Sequence, residues 1–243
     1  MSKGTAIVTG APRRIGRALA LCAATSGYDI LIHHRDALAD ADALAGEISA
    51  MGMRSHLFAA DLADPAAPAA MIGEAISHLG PVTLLVNNAS LFEHDTLSTL
   101  TPASWDAHMA VNLRAPVLLM QAMAAALPPG REGLVVNILD QRVLHPGPDF
   151  FSYTLAKSAL WTATRMAAQA LAPRIRVNGI GPGPTLASIH QTSADFEAEA
   201  AATLLARPVD PDDIAGALRY LIGASGVTGQ MIAVDAGQHL ATR

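Results

Sequence analysis

The stretch DQRVLHPGPDFFSYTLAK, from Asp140 to Lys157, sets an acid, a phenol and an amine at intervals that suit proton transfer. A helix starting near Ser152 puts Tyr153 and Lys157 on one face, about one turn apart. An ammonium beside a phenol favours the phenolate. Lys157 is therefore expected to lower the proton affinity of Tyr153 toward working pH, as a general acid requires. Tyr-x-x-x-Lys also occurs as a plain surface pair, so the surrounding elements must decide between the two.

The chain has 243 residues, of which 51% are hydrophobic and 15% charged. That is enough to bury a sizeable core, and no linker or low-complexity run splits residues 1–243, so a single domain is expected. A net charge of -5 and a pI near 5.9 give no bulk reason to bind nucleic acid or an anionic membrane. The lone cysteine, Cys22, excludes an internal disulfide and fits a reducing compartment; it sits in an apolar helical run and is assigned no chemistry. The N-terminus enters a strand without signal-peptide regions, and no apolar run is expected to reach membrane-spanning length. A cytoplasmic protein is expected, with a small-molecule substrate and no metal.

Short apolar runs alternate with longer helical patterns. TAIVT leads to a helix from about Ile15, DILIHH to one from Ala37 to Met51, and RSHLFAA to one from near Pro65 to Leu79. VTLLVNN precedes a long helix from about Ser104, and GLVVNIL precedes the helix carrying Tyr153. RIRVNGI leads to an excursion, then a helix near Pro211 and a last strand, MIAVD. Near-continuous apolar strands joined by helices mark a parallel sheet covered on both faces, a doubly wound α/β fold. The alternation breaks between Gly181 and Pro208, where residues 184–208 are expected to form a substrate lid.

The first strand-to-helix turn, TGAPRRIGRA, sets Gly10 and Gly16 around Arg13, Arg14 and Ile15. Backbone N–H groups and a helix N-terminus there suit a pyrophosphate. Arg14 replaces the middle glycine of the dinucleotide fingerprint. The second strand ends in His33, His34 and Arg35 without the carboxylate that holds a free ribose 2′-hydroxyl, so the arginines suit a 2′-phosphorylated cofactor. A solvated charge cluster is the competing reading, and Asp36 weighs against the phosphate. Asp61, followed by Leu62, suits either an adenine amino group or a helix N-cap. Asn87, Asn88, Ala89 and Ser90 end the fourth strand, where open α/β sheets bind ligands. Phe92, just beyond, is a ligand-facing or a core aromatic. Asn112, four residues before Pro116, marks a kink whose freed carbonyl suits a water, or else faces solvent.

In this order TGAPRRIG, NNAS, NLRAP, YTLAK, RVNGIGPG and VTGQMIAVD resemble the short-chain dehydrogenase/reductase family over essentially the whole chain. The resemblance implies a Rossmann fold, a nicotinamide cofactor, and Tyr153 and Lys157 as catalytic residues. It also implies Asn112 as the family's helical asparagine, and Pro182, Gly183 and Thr185 on the nicotinamide side. The family's usual catalytic serine is Asp140 here. Within the family the chain is similar to pteridine reductases and dihydromonapterin or dihydrofolate reductases. These share an arginine matched by Arg14, a His-Arg pair matched by His34 and Arg35, Asn-Ala-Ser and a phenylalanine matched by Ser90 and Phe92, and the aspartate matched by Asp140. Their His-Arg-Ser ends in Asp36 here. The likeness implies a pterin sandwiched between Phe92 and nicotinamide, Ser90 touching substrate or cofactor, and a proton supplied by Asp140 with Tyr153.

The expected reaction is hydride transfer from NADPH to a C=N bond of a flat heterocycle, with a proton delivered to ring nitrogen. Lys157 is expected to hold ribose hydroxyls. A carbonyl or 3-oxoacyl reductase, with Asp140 only orienting Tyr153, is one alternative; a catalytically idle nucleotide-binding sensor or scaffold is another. Helices from Ala103 to Leu127 and from Ser152 to Leu171 are apolar around much of their circumference, and with the family likeness this points to a homotetramer.

Overall fold

Runs of valine, isoleucine and leucine form one parallel sheet in the computed structural model, which describes residues 2–188 and 191–241. Its strands are β1 (Thr5–Val8), β2 (Asp29–His34), β3 (Ser55–Ala59), β4 (Val82–Asn87), β5 (Gly133–Ile138), β6 (Ile175–Pro182) and β7 (Met231–Val234). Their spatial order is β3-β2-β1-β4-β5-β6-β7, the expected doubly wound arrangement. The connections from β1 and β4 leave in opposite directions, which opens a crevice at the carboxyl ends of these two strands.

Helices cover both faces because the strands are buried on both. Against one face pack α1 (Arg14–Thr25), α2 (Leu38–Ala50) and α8 (Pro211–Gly223), with Leu19, Leu44 and Leu218 meeting Ile30, Ile32 and Val86. Against the other pack α3 (Ala67–Leu79) and α5 (Ala115–Ala126), with Met71, Leu119 and Met123 meeting Ile7, Leu31 and Leu85. The remaining helices are α4 (Pro102–Met109), α6 (Phe151–Leu171) and α7 (Ser193–Ala201). Part of the expected lid, residues 189–190, lies outside the described residues.

The expected kink at Asn112 is present and wider than a simple bend. Pro116 has no N–H to give the Asn112 carbonyl, and the chain passes from α4 to α5 through a π-helical turn, Ala110–Arg114. One expectation is corrected here: Pro102–Ala126 is long and apolar enough, by length and composition alone, to cross a membrane. It lies instead against α3 and β4, where Leu119, Met120 and Met123 are buried. Burying each such side chain contributes roughly 1.5–3 kcal/mol, and Leu119→Ala would cost about 2–5 kcal/mol.

Candidate active site

The turn after β1 is shaped by close approach. Gly10 has φ +61°, and a Cβ on Gly16 would lie 2.0 Å from the Gly10 carbonyl oxygen, so the start of α1 can press against the loop only with glycine there. Arg14, in the place of the missing glycine, adopts φ +53°. Such left-handed backbone costs about 1–3 kcal/mol for a side-chain-bearing residue and persists only where its surroundings hold it. The Arg14 guanidinium donates to the carbonyls of Leu186 and Ala187, at 2.9 and 3.0 Å, tying the loop to the segment beyond β6.

Side chains beneath the turn fix its position. Thr9 Oγ1 accepts from the N–H groups of Asn88 and Ala89, each at 2.9 Å, and Asn88 Nδ2 donates to the Thr9 carbonyl at 2.8 Å. His33 Nδ1 accepts from the Gly10 N–H at 3.0 Å while Nε2 meets the Ala60 carbonyl at 3.1 Å. Burial holds the His33 imidazole down to about 4, so the ring is neutral at working pH, with its proton on Nε2. This corrects the choice of His34 as the cofactor-facing histidine. Successive strand side chains point to opposite faces, and it is His33 that borders the cavity beside the turn; His34 is buried, with both ring nitrogens unpartnered.

That cavity, of about 640 Å³, is bounded by Gly10, Arg13, Arg14, Ile15 and Gly16 on one side and by Arg35, Asp61, Leu62, Ala89 and Ser90 on the other. Arg13 is paired with Asp40 at 2.5 Å, and Arg35 loosely with Asp36 at 3.6 Å, in both cases at the surface. Asp61 lines the cavity and also caps the following turn through the Ala63 N–H at 2.8 Å. Glycine cradle, helix N-terminus and bordering arginines together fit a dinucleotide with an extra phosphate.

A second cavity, of about 530 Å³, adjoins the first through Arg14, Ile15, Asn88 and Ser90. Asp140, Tyr153, Lys157, Phe92, Pro182, Gly183 and Thr185 all line it. The Tyr153 hydroxyl donates to Asp140 Oδ2 at 2.8 Å. Asp140 Oδ1 meanwhile accepts from the Arg142 N–H at 2.8 Å, so Asp140 caps the following turn and holds the tyrosine at once. Burial raises the Asp140 proton affinity above the usual carboxylate range. The expected effect of Lys157 on Tyr153 is overturned: burial, then the Asp140 carboxylate, push the phenol well above its ordinary value. The Lys157 ammonium spends its bond on the Ile138 carbonyl at 2.7 Å, and burial lowers it to about 8.

Asn112 stands behind these groups rather than among them. It is fully buried, its Oδ1 accepts from the Leu91 N–H and its Nδ2 donates to the Leu91 carbonyl, each at 2.8 Å. Ser90 Oγ donates to the same Oδ1 at 3.2 Å. Asn112 thus braces Ser90 and Leu91 from behind, and the π-helical turn is what presents it.

Sequence reasoning missed several groups. Phe150, at φ +53°, stacks on Phe92 with centroids 4.1 Å apart, and the Tyr153 ring meets Phe92 edge-on at 4.7 Å. Asp95 supplies the cap that α6 lacks locally: its Oδ1 accepts from the Ser152 N–H at 3.0 Å, its Oδ2 accepts from the Ser152 hydroxyl, and His108 Nδ1 lies 2.7 Å from that hydroxyl. This buried cluster anchors the helix start next to Tyr153. At the cavity's outer wall Gln191 and Gln238 donate to the two oxygens of Glu199, at 2.7 and 2.8 Å. A candidate cap three residues before a helix is legible in sequence; partners dozens of residues away are not.

Residues 10–239 match the family described as Enoyl-(Acyl carrier protein) reductase. The crystal structure of FolM alternative dihydrofolate reductase 1 from Brucella suis, in complex with NADP, is 46% identical and superposes with a TM-score of 0.95, covering 99% of this chain and 97% of that one. An uncharacterised oxidoreductase of Mycobacterium tuberculosis is 39% identical over 240 residues, 96% of this chain and 90% of its own. The 3-oxoacyl-[acyl-carrier-protein] reductase FabG of Staphylococcus aureus is 31% identical over 241 residues, 97% of this chain and 98% of its own. With a glycine-rich turn, a crevice at the sheet's switch point and a Tyr-Lys pair already in place, these likenesses mean that the chain belongs to the short-chain dehydrogenase/reductase family and is an NAD(P)-dependent oxidoreductase.

Proposed function

We propose that the protein is an NADPH-dependent reductase of a pterin or related C=N heterocycle. The observation that carries this is the Tyr153–Asp140 hydrogen bond inside a cavity that also holds Phe92. An ordinary ketone reductase needs a phenol that gives up its proton readily, whereas here the phenol is held protonated and the carboxyl has the raised proton affinity. Once protonated, Asp140 is the acid: its O–H donates to the Tyr153 oxygen, reversing the hydrogen bond seen here, while the Tyr153 hydroxyl passes its own proton to the acceptor nitrogen. The resemblance to a protein named as an alternative dihydrofolate reductase supports the same substrate class.

When bound, the reduced nicotinamide supplies the hydride. The glycine turn and the start of α1 would hold its pyrophosphate and Lys157 its ribose hydroxyls, while Arg35 would meet the 2′-phosphate, since Arg13 is paired with Asp40 and Arg14 with the Leu186 and Ala187 carbonyls. Phe92, backed on one face by Phe150, offers an aromatic surface to a flat ring. Pro184, Leu186, Ser188, Gln191, Phe196 and Glu199, from the described parts of the expected lid, line the cavity, which supports a lid over the substrate in one cofactor-binding domain. Val117 on α5 and Leu155 and Met166 on α6 are exposed apolar side chains that suit burial in a homotetramer, which light scattering would test.

The likeness to FabG favours a second reading, reduction of a 3-oxoacyl carbonyl. Steady-state NADPH oxidation with dihydrobiopterin, dihydrofolate and an acetoacetyl thioester separates the two. Turnover of the pterins is expected; turnover of the acetoacetyl substrate alone would reject the heterocycle in favour of the carbonyl.

A further inference from the structure

Away from both cavities, and sharing no lining residue with them, β3 and α3 bring His56, Glu74 and His78 together. Glu74 and His78 are four residues apart on α3 and so share a face. His56 reaches them from β3, the edge strand of the sheet. His56 Nε2 and His78 Nδ1 lie 3.2 and 3.3 Å from the same Glu74 oxygen, and the three potential ligand atoms lie within 4.8 Å of one another. Bonds of about 2.0–2.2 Å around a tetrahedral zinc set neighbouring ligand atoms about 3.4 Å apart.

We propose that His56, Glu74 and His78 bind a divalent ion of the zinc class and thereby clip the edge strand to α3. Two imidazoles and one carboxylate are a donor set suited to that ion. The side chains are 28%, 44% and 48% exposed, in chain order, which gives the ion an entry path and leaves a fourth position to water. In the metal-free arrangement the two rings stack with centroids 3.8 Å apart and planes 10° from parallel, while His78 Nδ1 also lies 2.9 Å from Ser77 Oγ and 3.1 Å from the Glu74 carbonyl. Ring lone pairs lie in the ring planes, so coordination turns the rings apart about their side-chain torsions and exchanges these weak bonds for metal bonds through unprotonated nitrogens. The nearby cation, Arg54, which reaches the His78 carbonyl, is paired with Asp29 at 2.8 Å, and its charge is offset. An edge strand held in this way is less open to pairing with another chain.

Zinc chloride titrated alone into the purified protein, read by calorimetry, should show a single site per chain, and cobalt(II) should develop the visible bands of a four-coordinate site. His56→Ala and Glu74→Gln should each weaken zinc binding by about tenfold or more, with NADPH oxidation as in the unsubstituted protein. Saturating zinc should raise the melting temperature of the unsubstituted protein and not that of the variants. If either variant fails to fold, His78→Asn takes its place. Absence of zinc binding, or binding unchanged by a ligand substitution, overturns the site.

Discussion

Replacing Asp140 by asparagine removes the carboxyl proposed as the proton donor while changing little else. The amide oxygen can still accept from the Arg142 N–H, as Asp140 Oδ1 does at 2.8 Å, so the cap at the start of the turn survives. The buried carboxyl, whose charged form burial disfavours, becomes neutral, and stability is expected to change by less than about 1 kcal/mol. The amide nitrogen then faces the Tyr153 oxygen, where Asp140 Oδ2 now accepts at 2.8 Å, and it has no proton to cycle at accessible pH. Loss of general acid catalysis lowers kcat by roughly 10² to 10⁴, equivalent to about 2.7–5.5 kcal/mol of barrier. Asp140→Ser should separate the substrates: a serine can orient a carbonyl through Tyr153 but cannot protonate a ring nitrogen, so pterin reduction should vanish while a simple ketone is spared or favoured. Steady-state kinetics of both variants on dihydrobiopterin and a model ketone, with thermal melts alongside, provide the test. Near-normal pterin turnover by the asparagine variant would refute the proton-donor role, and so would parallel losses on both substrates that track stability in the serine variant.

Tyr153→Phe should keep NADPH binding and lose roughly 10² to 10⁴ in turnover, as measured by fluorescence titration beside kinetics; an active variant would mean the hydroxyl is not on the proton path. Arg35→Ala should weaken NADPH more than tenfold relative to NADH if its guanidinium meets the 2′-phosphate, since truncating one partner of such a pair costs roughly 2–5 kcal/mol; equal losses for both cofactors would contradict this. His33 is held to about 4 against an ordinary 6.5, so the unfolded chain binds its proton more readily; stability present above pH 6.5 is lost as pH falls toward 4, by up to about 3 kcal/mol. Melting curves across that window should be flatter for His33→Asn, and identical profiles would assign the acid sensitivity elsewhere. Because the Lys157 ammonium is lowered to about 8, kcat/KM for NADPH should decline as pH rises past that value, and a flat profile to pH 9.5 would show that its charge is not needed.

Much of this protein is legible in the linear chain because its signals are local. Short, near-continuous apolar runs such as DILIHH and GLVVNIL, alternating with longer helical patterns, mark strands buried on both faces, and Gly10 and Gly16 mark a turn where backbone must approach closely. Four-residue spacing places Tyr153 and Lys157 on one helical face, and a proline four residues after Asn112 removes a specific helical bond. What only the tertiary structure decided depends on which atoms meet across long separations in sequence. Local proximity to Lys157 argued for an acidified Tyr153, yet the folded chain sets the Asp140 carboxyl on the phenol and gives the ammonium to Ile138, reversing the sign of the shift. The choice between His33 and His34 turns on a single step of strand pleat, which adjacent residues of the same type do not reveal. Asp95, His108 and Ser152 converge from a loop and two helices, and Phe150 and Phe92 stack across an equally long separation. Proton affinity and ring contact follow from burial and distance in three dimensions, and neither quantity is written in the spacing of residues along the chain.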